Sequence, residues 1–208
     1  MPPMSAVDLT DLDFTQVMRT RVPAPAAAAA PPPAAVSAPA AAKPARPAEV
    51  ALRGDFEIGR LREGHPGNYV SYARAGIQSA PVAADSPIVL VEDDDITRQL
   101  LAKALSTHGY PVRGAADSRQ FQALMRTPPL PRLILLDVEL PQVSGFKILA
   151  VLRQHPQTSA IPLLMLTART ESKDLLQALS LGADGYLSKP VTVATLRSTV
   201  DRLLRRAS

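Results

Sequence analysis

Between residues 88 and 206, short aliphatic runs alternate with longer segments in which apolar residues recur every three or four positions. The short runs are too brief for ordinary helices and are bounded by polar residues, which indicates strands buried on both faces of a parallel sheet. The longer segments have the period of amphipathic helices. The alternation therefore predicts βα units that build a parallel sheet with helices on both faces.

The pattern predicts strands near residues 88–92, 112–116, 132–137, 161–167 and 184–188, and helices near 95–108, 117–126, 144–154, 171–181 and 192–206. Asp95 and Thr192 are predicted to cap the first and last helices, because their side-chain oxygens can accept from free amides there. Each of these helices is predicted to bury one apolar stripe, made of Ile96, Leu100, Leu101, Ala104 and Leu105 in the first and of Val193, Leu196, Val200, Leu203 and Leu204 in the last.

The N-terminal part of the chain has a different composition. Residues 1–21 carry a short, weakly amphipathic segment, and residues 22–48 are a low-complexity stretch of Ala and Pro, which predicts an extended, disordered linker. Residues 49–85 hold too few apolar residues for a core of their own, so we expect a poorly ordered region with short docking elements. A folded domain is predicted over residues 86–207.

Carboxylates follow two of the predicted strands. Asp137 ends one aliphatic run, and Glu92, Asp93, Asp94 and Asp95 follow another. Open α/β sheets place their ligand sites at the carboxyl ends of strands. Carboxylates gathered there repel one another unless a cation neutralises them, and oxygen ligands suit Mg²⁺. The pattern therefore predicts a magnesium site, although Asp137 alone could equally be a loop-capping residue.

Two further strand ends carry polar side chains. The fourth predicted strand ends in Thr167, which is followed by the small residue Ala168, and the fifth contains Tyr186 and leads to Lys189 and Pro190. A surface lysine and a half-buried packing tyrosine are the simpler interpretations of Lys189 and Tyr186 taken singly.

Taken together, these residues resemble the receiver domain of two-component response regulators. The resemblance rests on Glu92 with Asp93, Asp137, Thr167 with Ala168, Tyr186, and Lys189 with Pro190, and it covers residues 86–207 only. It implies a flavodoxin-like (βα)₅ fold, a doubly wound parallel sheet with strand order 2-1-3-4-5. That order brings the ends of the first and third strands together.

The resemblance also implies roles for these residues. Asp137 would accept a phosphoryl group, and Mg²⁺ would be held by Glu92, Asp93, Asp137 and the backbone carbonyl of Glu139. Thr167 and Lys189 would bind phosphoryl oxygens, Ala168 would leave access to them, and Tyr186 would be a rotameric switch. The side chains of Glu139 and Arg169 would tune dephosphorylation.

The partners implied are a histidine kinase or phosphotransfer protein, a downstream protein target, and a second copy in a phosphorylation-dependent dimer through the last two helices. The chain stops just after the last helix, so we expect no C-terminal output domain. We expect a phosphoacceptor and not an enzyme. A haloacid-dehalogenase-like phosphatase is the alternative enzyme, but it would need Asp where Glu139 stands. A non-phosphorylated adaptor module is the third interpretation.

Composition excludes several kinds of chemistry and of partner. The chain has no cysteine, which excludes disulfides and thiol chemistry, and no Trp. The formal net charge of +4 comes without a recognisable DNA-binding module, so no nucleic-acid partner is expected. The Ala-rich stretches are broken by Pro and could not form a membrane span. The sequence therefore predicts a cytoplasmic protein.

Overall fold

The computed structural model describes residues 56–57, 69–72, 85–168 and 172–206. The segments predicted at 1–21 and 22–48, and most of 49–85, lie outside these ranges. The described strands are β1 Phe56–Glu57, β2 Tyr69–Tyr72, β3 Ile88–Val91, β4 Val112–Ala115, β5 Leu133–Asp137, β6 Leu163–Thr167 and β7 Gly185–Ser188. The described helices are α1 Asp95–Thr107, α2 Ser118–Met125, α3 Gly145–Gln154, α4 Ser172–Ser180 and α5 Val193–Arg206.

These strands form one sheet in the order β1-β2-β7-β6-β5-β3-β4. The five strands from β3 to β7 are parallel to one another and have the predicted order 2-1-3-4-5. The predicted flavodoxin-like fold is therefore confirmed. Each predicted strand and helix of this part lies within two residues of its observed ends, because turn residues and helix caps mark both ends in the sequence.

Apolar side chains pack on both faces of the sheet. Successive strand residues point to opposite faces, so Val89 and Val91 belong to one cluster and Ile88 and Leu90 to the other. The first cluster includes Phe121, Met125, Ile148, Leu149 and Ala178 from α2, α3 and α4. The second includes Leu101, Leu105, Leu196, Val200 and Leu203 from α1 and α5. Burial on both faces fixes the register of the strands and thereby the positions of the residues that follow them.

The predicted buried stripe of α1 is partly wrong. Leu101 and Leu105 are buried, but Ile96 is 79% exposed and Leu100 is 58% exposed. The side of the helix decides this difference, because Leu100 is exposed and the next residue, Leu101, is buried. Ile96 and Leu100, four residues apart, therefore share a solvent-facing side of α1.

The predicted cap of α1 is wrong by one residue. Asp94 is the N-cap, because its Oδ1 accepts from the backbone N–H of Thr97 at 2.7 Å. Asp95 is the first residue of the helix and its carboxylate binds Arg98. The predicted Thr192 cap has the expected contact, since its hydroxyl oxygen accepts from the N–H of Thr195 at 3.1 Å.

A buried ion pair holds the end of the sheet opposite the acidic residues. The Arg153 guanidinium of α3 donates to Asp184 Oδ2 at 2.7 Å and to the carbonyls of Gly182 and Ile161 at 2.7 and 2.9 Å. Asp184 Oδ2 also accepts from the N–H of Leu163. These bonds link the starts of β6 and β7 to α3, and the apolar pattern gave no indication of them.

Two strands lie beyond the predicted fold. β2 pairs antiparallel with β7, and β1 pairs antiparallel with β2. The sequence suggests short docking elements in residues 49–85 but does not indicate which surface they contact. In the structure, the surface is the β7 edge of the same chain. Among the described residues, no helix combines the length and the apolar character that crossing a membrane requires.

Candidate functional site

The strand register brings the predicted acidic residues together. Val91 of β3 pairs with Leu136 of β5, so the residues that follow them, Glu92 and Asp137, are neighbours at the carboxyl end of the sheet. Both are almost completely buried, with exposures of 1% and 2%. Carboxylate oxygens of Glu92, Asp93 and Asp137 all lie within 4.8 Å of one another. The convergence expected from strand order 2-1-3-4-5 is thus present.

The four consecutive acidic residues have different partners. Asp93 belongs to the acidic cluster and is exposed to solvent. Asp94 instead caps α1, and its hydrogen bonds with Thr97 lower the pKa of its carboxyl group. Asp95 binds Arg98, whose guanidinium also donates to the backbone carbonyl of Glu92 at 2.8 Å. The cluster is therefore formed by the first two acidic residues, and Arg98 holds the loop that carries them.

Lys189 connects the fifth parallel strand to the acidic cluster. Its Nζ donates to Asp137 Oδ2 at 2.7 Å and to Glu92 Oε1 at 2.8 Å. Its backbone N–H donates to the carbonyl of Thr167 at 2.6 Å, at the end of the neighbouring strand. A single half-buried ammonium group is therefore shared by two buried carboxylates.

The charges in this cluster do not balance. Burial raises the pKa of the Glu92 carboxyl, and the negative charges of Asp137 and Asp93 act in the same direction against the hydrogen bond from Lys189. Burial lowers the pKa of the Lys189 ammonium, but the hydrogen bonds and charges of Asp137 and Glu92 outweigh it and raise that pKa. The raised pKa favours the charged form of Lys189, whereas burial first, and the nearby negative charges second, oppose ionisation of Glu92.

Asp137 is fixed from two sides. Its Oδ1 accepts from the backbone N–H of Glu139 at 3.0 Å, and its Oδ2 accepts from Lys189. The Glu139 side chain is exposed. The peptide of Glu139 therefore lies against the Asp137 carboxylate, while coordination through the Glu139 carbonyl stays a prediction.

The remaining predicted residues lie around this cluster. Thr167 is fully buried at the end of β6, next to Ser188 of β7, and Ala168 beside it is exposed. Tyr186 is 6% exposed and packs in the first apolar cluster. Arg169 lies outside the described residues. The roles of Thr167, Ala168, Tyr186 and Arg169 stay predictions.

Gly145, the first residue of α3, also belongs to the site. Its N–H donates to the carbonyl of Val138 at 3.0 Å. A Cβ atom on Gly145 would lie 2.1 Å from the carbonyl oxygen of Asp137. Only glycine allows α3 to begin so close to the backbone of Asp137, and the sequence cannot show this contact because it joins two elements.

The acidic cluster fits a hard divalent cation. The side-chain atoms that this cluster offers to a metal are all carboxylate oxygens, the ligands that Mg²⁺ prefers. Glu92 Oε2 is buried and accepts no hydrogen bond, although Lys189 Nζ lies 2.7 Å from it as an ion-pair partner. Lys189 supplies one positive charge against the carboxylates of Glu92, Asp93 and Asp137. This excess of negative charge favours a bound cation.

Residues 88–201 match the family described as the response regulator receiver domain. The DNA-binding dual master transcriptional regulator RpaA of Synechocystis is 40% identical over 119 residues, which are 57% of this chain and 49% of that protein. The phosphate regulon transcriptional regulatory protein PhoB of Rhizobium meliloti is 39% identical over 124 residues, which are 58% of this chain and 52% of that protein. The chain thus spans about half the length of the curated relatives it matches.

Solved structures give the same fold. The chemotaxis protein CheY4 of Vibrio cholerae has a TM-score of 0.54 and 31% identity, and the match covers 57% of this chain and 98% of that one. The signal receiver domain of a signal transduction histidine kinase from Syntrophus aciditrophicus has a TM-score of 0.54 and 28% identity, with 59% and 92% covered. One relative's name includes DNA binding, so the expected lack of a nucleic-acid partner is not confirmed for this chain.

Proposed function

Because the chain belongs to the response regulator receiver domain family, we propose that it accepts a phosphoryl group on Asp137 from a histidine kinase or phosphotransfer protein. The observation that carries the proposal is the Lys189 bridge, in which Nζ lies 2.7 Å from Asp137 and 2.8 Å from Glu92. It joins a buried carboxylate nucleophile to a cation that can follow the transferred group. The membership favours this function over a haloacid-dehalogenase-like phosphatase.

The transfer would be a displacement at phosphorus. An oxygen of the Asp137 carboxylate forms a bond to phosphorus while the bond from phosphorus to the donor's histidine nitrogen breaks, and the electron pair stays on that nitrogen. The hydrogen bond from the Glu139 N–H would hold Asp137 in position for attack. Such transfers depend mainly on positioning and on stabilising charge, which Lys189 supplies on one side.

Mg²⁺ bound by Glu92, Asp93 and Asp137 would neutralise negative charge on the transferred phosphoryl oxygens. Glu92 and Asp137 are rigidly placed because their strands are buried, whereas Asp93 stands at the exposed mouth. Lys189 would turn from Glu92 toward a phosphoryl oxygen. The Thr167 hydroxyl would donate to another, and the exposed Ala168 would leave the group accessible.

The exposed side of α1 suggests where the phosphodonor docks. Ile96 and Leu100 are exposed by 79% and 58%, and they follow directly after the acidic cluster in the chain. An apolar surface beside a polar reaction site suits a protein partner, because burial of large apolar side chains contributes much of the binding energy.

Phosphorylation would change the protein-binding surface through β7. The new group adds roughly −1.5 to −2 charges beside Lys189. Lys189 comes directly after β7, the strand that contains Tyr186, and its backbone N–H donates to the carbonyl of Thr167. Movement of Lys189 and Thr167 would favour a different Tyr186 rotamer and repack the surface formed by α4 and α5. This is a population shift between two states of the domain.

The first test concerns the register of the acidic residues. Asp93→Ala is expected to weaken Mg²⁺ binding by at least about tenfold, since loss of even an outer-shell partner costs about 10–100-fold in metal affinity. Asp94→Asn is the matched control, because asparagine keeps the cap of α1 but removes a charge one residue away. Isothermal titration with MgCl₂ would measure both. Equal weakening in the two variants would show that the register is wrong.

The second test concerns Lys189. Lys189→Ala is expected to take up beryllofluoride with Mg²⁺ but to transmit less of the change to α4 and α5, because the bond from the phosphoryl analogue to the end of β7 is lost. NMR shifts of residues 172–206 should shrink in this variant. Lys103→Ala, which removes an exposed lysine of α1, should give a full response. A full response in Lys189→Ala would contradict the coupling role.

A further inference from the structure

The N-terminal strand β2 covers an edge that the (βα)₅ fold would leave open. β7 is the last of the parallel strands, and β2 pairs with it through Tyr69 with Leu187, Val70 with Tyr186, and Ser71 with Gly185. The same three β7 residues pair with β6 on their other side. β7 is therefore an interior strand in this chain because of a segment outside the family's residues 88–201.

Without β2, the β7 edge would present free backbone N–H and C=O groups to other strands. Such an edge is a template for pairing with another chain. β1 now forms this side of the sheet, but it has only two residues, Phe56 and Glu57. A strand this short offers few groups for further pairing, so the pair β1 and β2 both satisfies the β7 edge and ends the sheet.

The covered edge adjoins the surface expected to respond to phosphorylation. β2 contacts α5, and β7 leads directly into Lys189 of the site. A dimer through the last two helices would have to use the same side of the domain. Two copies related by a twofold axis would bring identical β7 edges together, which is the geometry of a closed, symmetric dimer.

We propose that residues 69–72 are an intramolecular cover that holds the β7 edge and the adjoining α5 surface away from a second copy of the chain. Release of β2 exposes the edge and permits dimerisation. One part of this inference rests on the proposed function: phosphorylation of Asp137 would favour the release of β2 through Lys189 and β7. The other part, that β2 covers the β7 edge, requires no phosphoryl group.

The full chain with Val70→Pro and Ser71→Pro tests the cover. Backbone groups of adjacent strand residues point to opposite neighbours, so two adjacent prolines remove an N–H on the β7 side whichever residue supplies it. The control carries Val70→Ile and Ser71→Thr, which keep residues that favour strands. Hydrogen exchange of those Gly185–Ser188 amides that face β2 and not β6 should be at least about tenfold faster in the proline variant. Equal exchange in both variants would overturn the proposal.

Self-association is the decisive measurement. Sedimentation velocity should give a dimer dissociation constant at least about tenfold lower for the proline variant than for the control. Faster exchange in the proline variant without stronger self-association would contradict the proposal that β2 prevents dimerisation. Hydrogen exchange and sedimentation velocity repeated with beryllofluoride and Mg²⁺ distinguish the cover formed by β2 from its release on phosphorylation. If the analogue has no effect on any variant but the proline variant still dimerises more strongly, the cover stands and the phosphorylation step fails.

A reversible lock gives an independent test that does not disable β2. Because the chain has no cysteine, Ser71→Cys with Gly185→Cys can form one defined bond across the paired strands. The oxidised monomer should self-associate at least about tenfold more weakly than the same protein reduced. Equal self-association of the two forms would overturn the proposal even if the proline variant failed to fold.

Discussion

Asp137→Asn is expected to abolish phosphoryl uptake completely. The amide has the size of the carboxylate but is a very weak nucleophile toward phosphorus, and it cannot supply the negative charge that attracts a cation. Asp137 is the carboxylate that both Lys189 and the Glu139 N–H position, so no neighbouring group has the same contacts among the described residues. Acetyl phosphate with Mg²⁺ should add one phosphoryl group to the wild-type chain and none to the variant, measured by intact mass in acid.

The control experiment for Asp137→Asn is a test of whether the variant folds. Asparagine at 137 leaves Lys189 with Glu92 as its carboxylate partner, so some loss of stability is expected, and circular dichroism with thermal melting would confirm that the domain remains folded. Undiminished labelling of a folded Asp137→Asn chain would mean that another carboxylate, such as Glu92 or Asp93, is the acceptor. Absence of labelling in the wild-type chain would favour an adaptor that is not phosphorylated.

The parallel part of the fold could be predicted because its signals are local. The strands β3, β5 and β6 are short aliphatic runs, and burial on both faces is what such a run indicates. The sequence-based predictions are wrong where tertiary contacts decide which side chains are buried. Ile96 and Leu100 have helical spacing, yet they lie on the solvent-facing side of α1 while Leu101 and Leu105 face the core, and the sequence period cannot show how far the buried stripe extends around the helix.

The covering strand was missed for a related reason. Tyr69–Tyr72 is four residues long, and its partner β7 is more than a hundred residues away in the chain. Its sequence, Tyr-Val-Ser-Tyr, is neither an aliphatic run nor an alternation long enough to indicate a strand. Its pairing depends on an open edge that exists only after the parallel strands have assembled.

The candidate site could be predicted from strand ends combined with strand order. Glu92, Asp93 and Asp137 stand at the ends of aliphatic strands, Lys189 follows β7, and the fold brings those strand ends together. The supporting contacts could not be predicted. Arg98 binds the backbone carbonyl of Glu92, and such a bond depends on main-chain geometry that side-chain patterns do not encode. The same holds for the close approach of Gly145 to Asp137.

Gly145→Ala is expected to disturb both the fold and the site, because the added methyl group would meet backbone and not a side chain that can move. Its Cβ would lie 2.1 Å from the Asp137 carbonyl oxygen and 3.0 Å from the carbonyl carbon, so either α3 or the end of β5 must shift. Overpacking of this kind typically costs about 1–3 kcal/mol of stability and occasionally more. Because the displaced backbone carries Asp137, phosphoryl uptake should also fall, by roughly tenfold or more if Asp137 moves by about 1 Å.

Gly114→Ala is the matched control for this prediction. It is the same chemical change in the same domain, at a glycine of strand β4, but the new Cβ would meet the flexible Arg98 side chain, with Cδ at 3.3 Å and Cγ at 3.5 Å. Arg98 can adjust by a few tenths of an ångström, so stability and phosphoryl uptake should remain close to wild type. Urea unfolding and acetyl phosphate labelling would compare the two variants. If Gly145→Ala were as mild as Gly114→Ala in both measurements, the close approach of α3 to the Asp137 backbone would not be a requirement of the site.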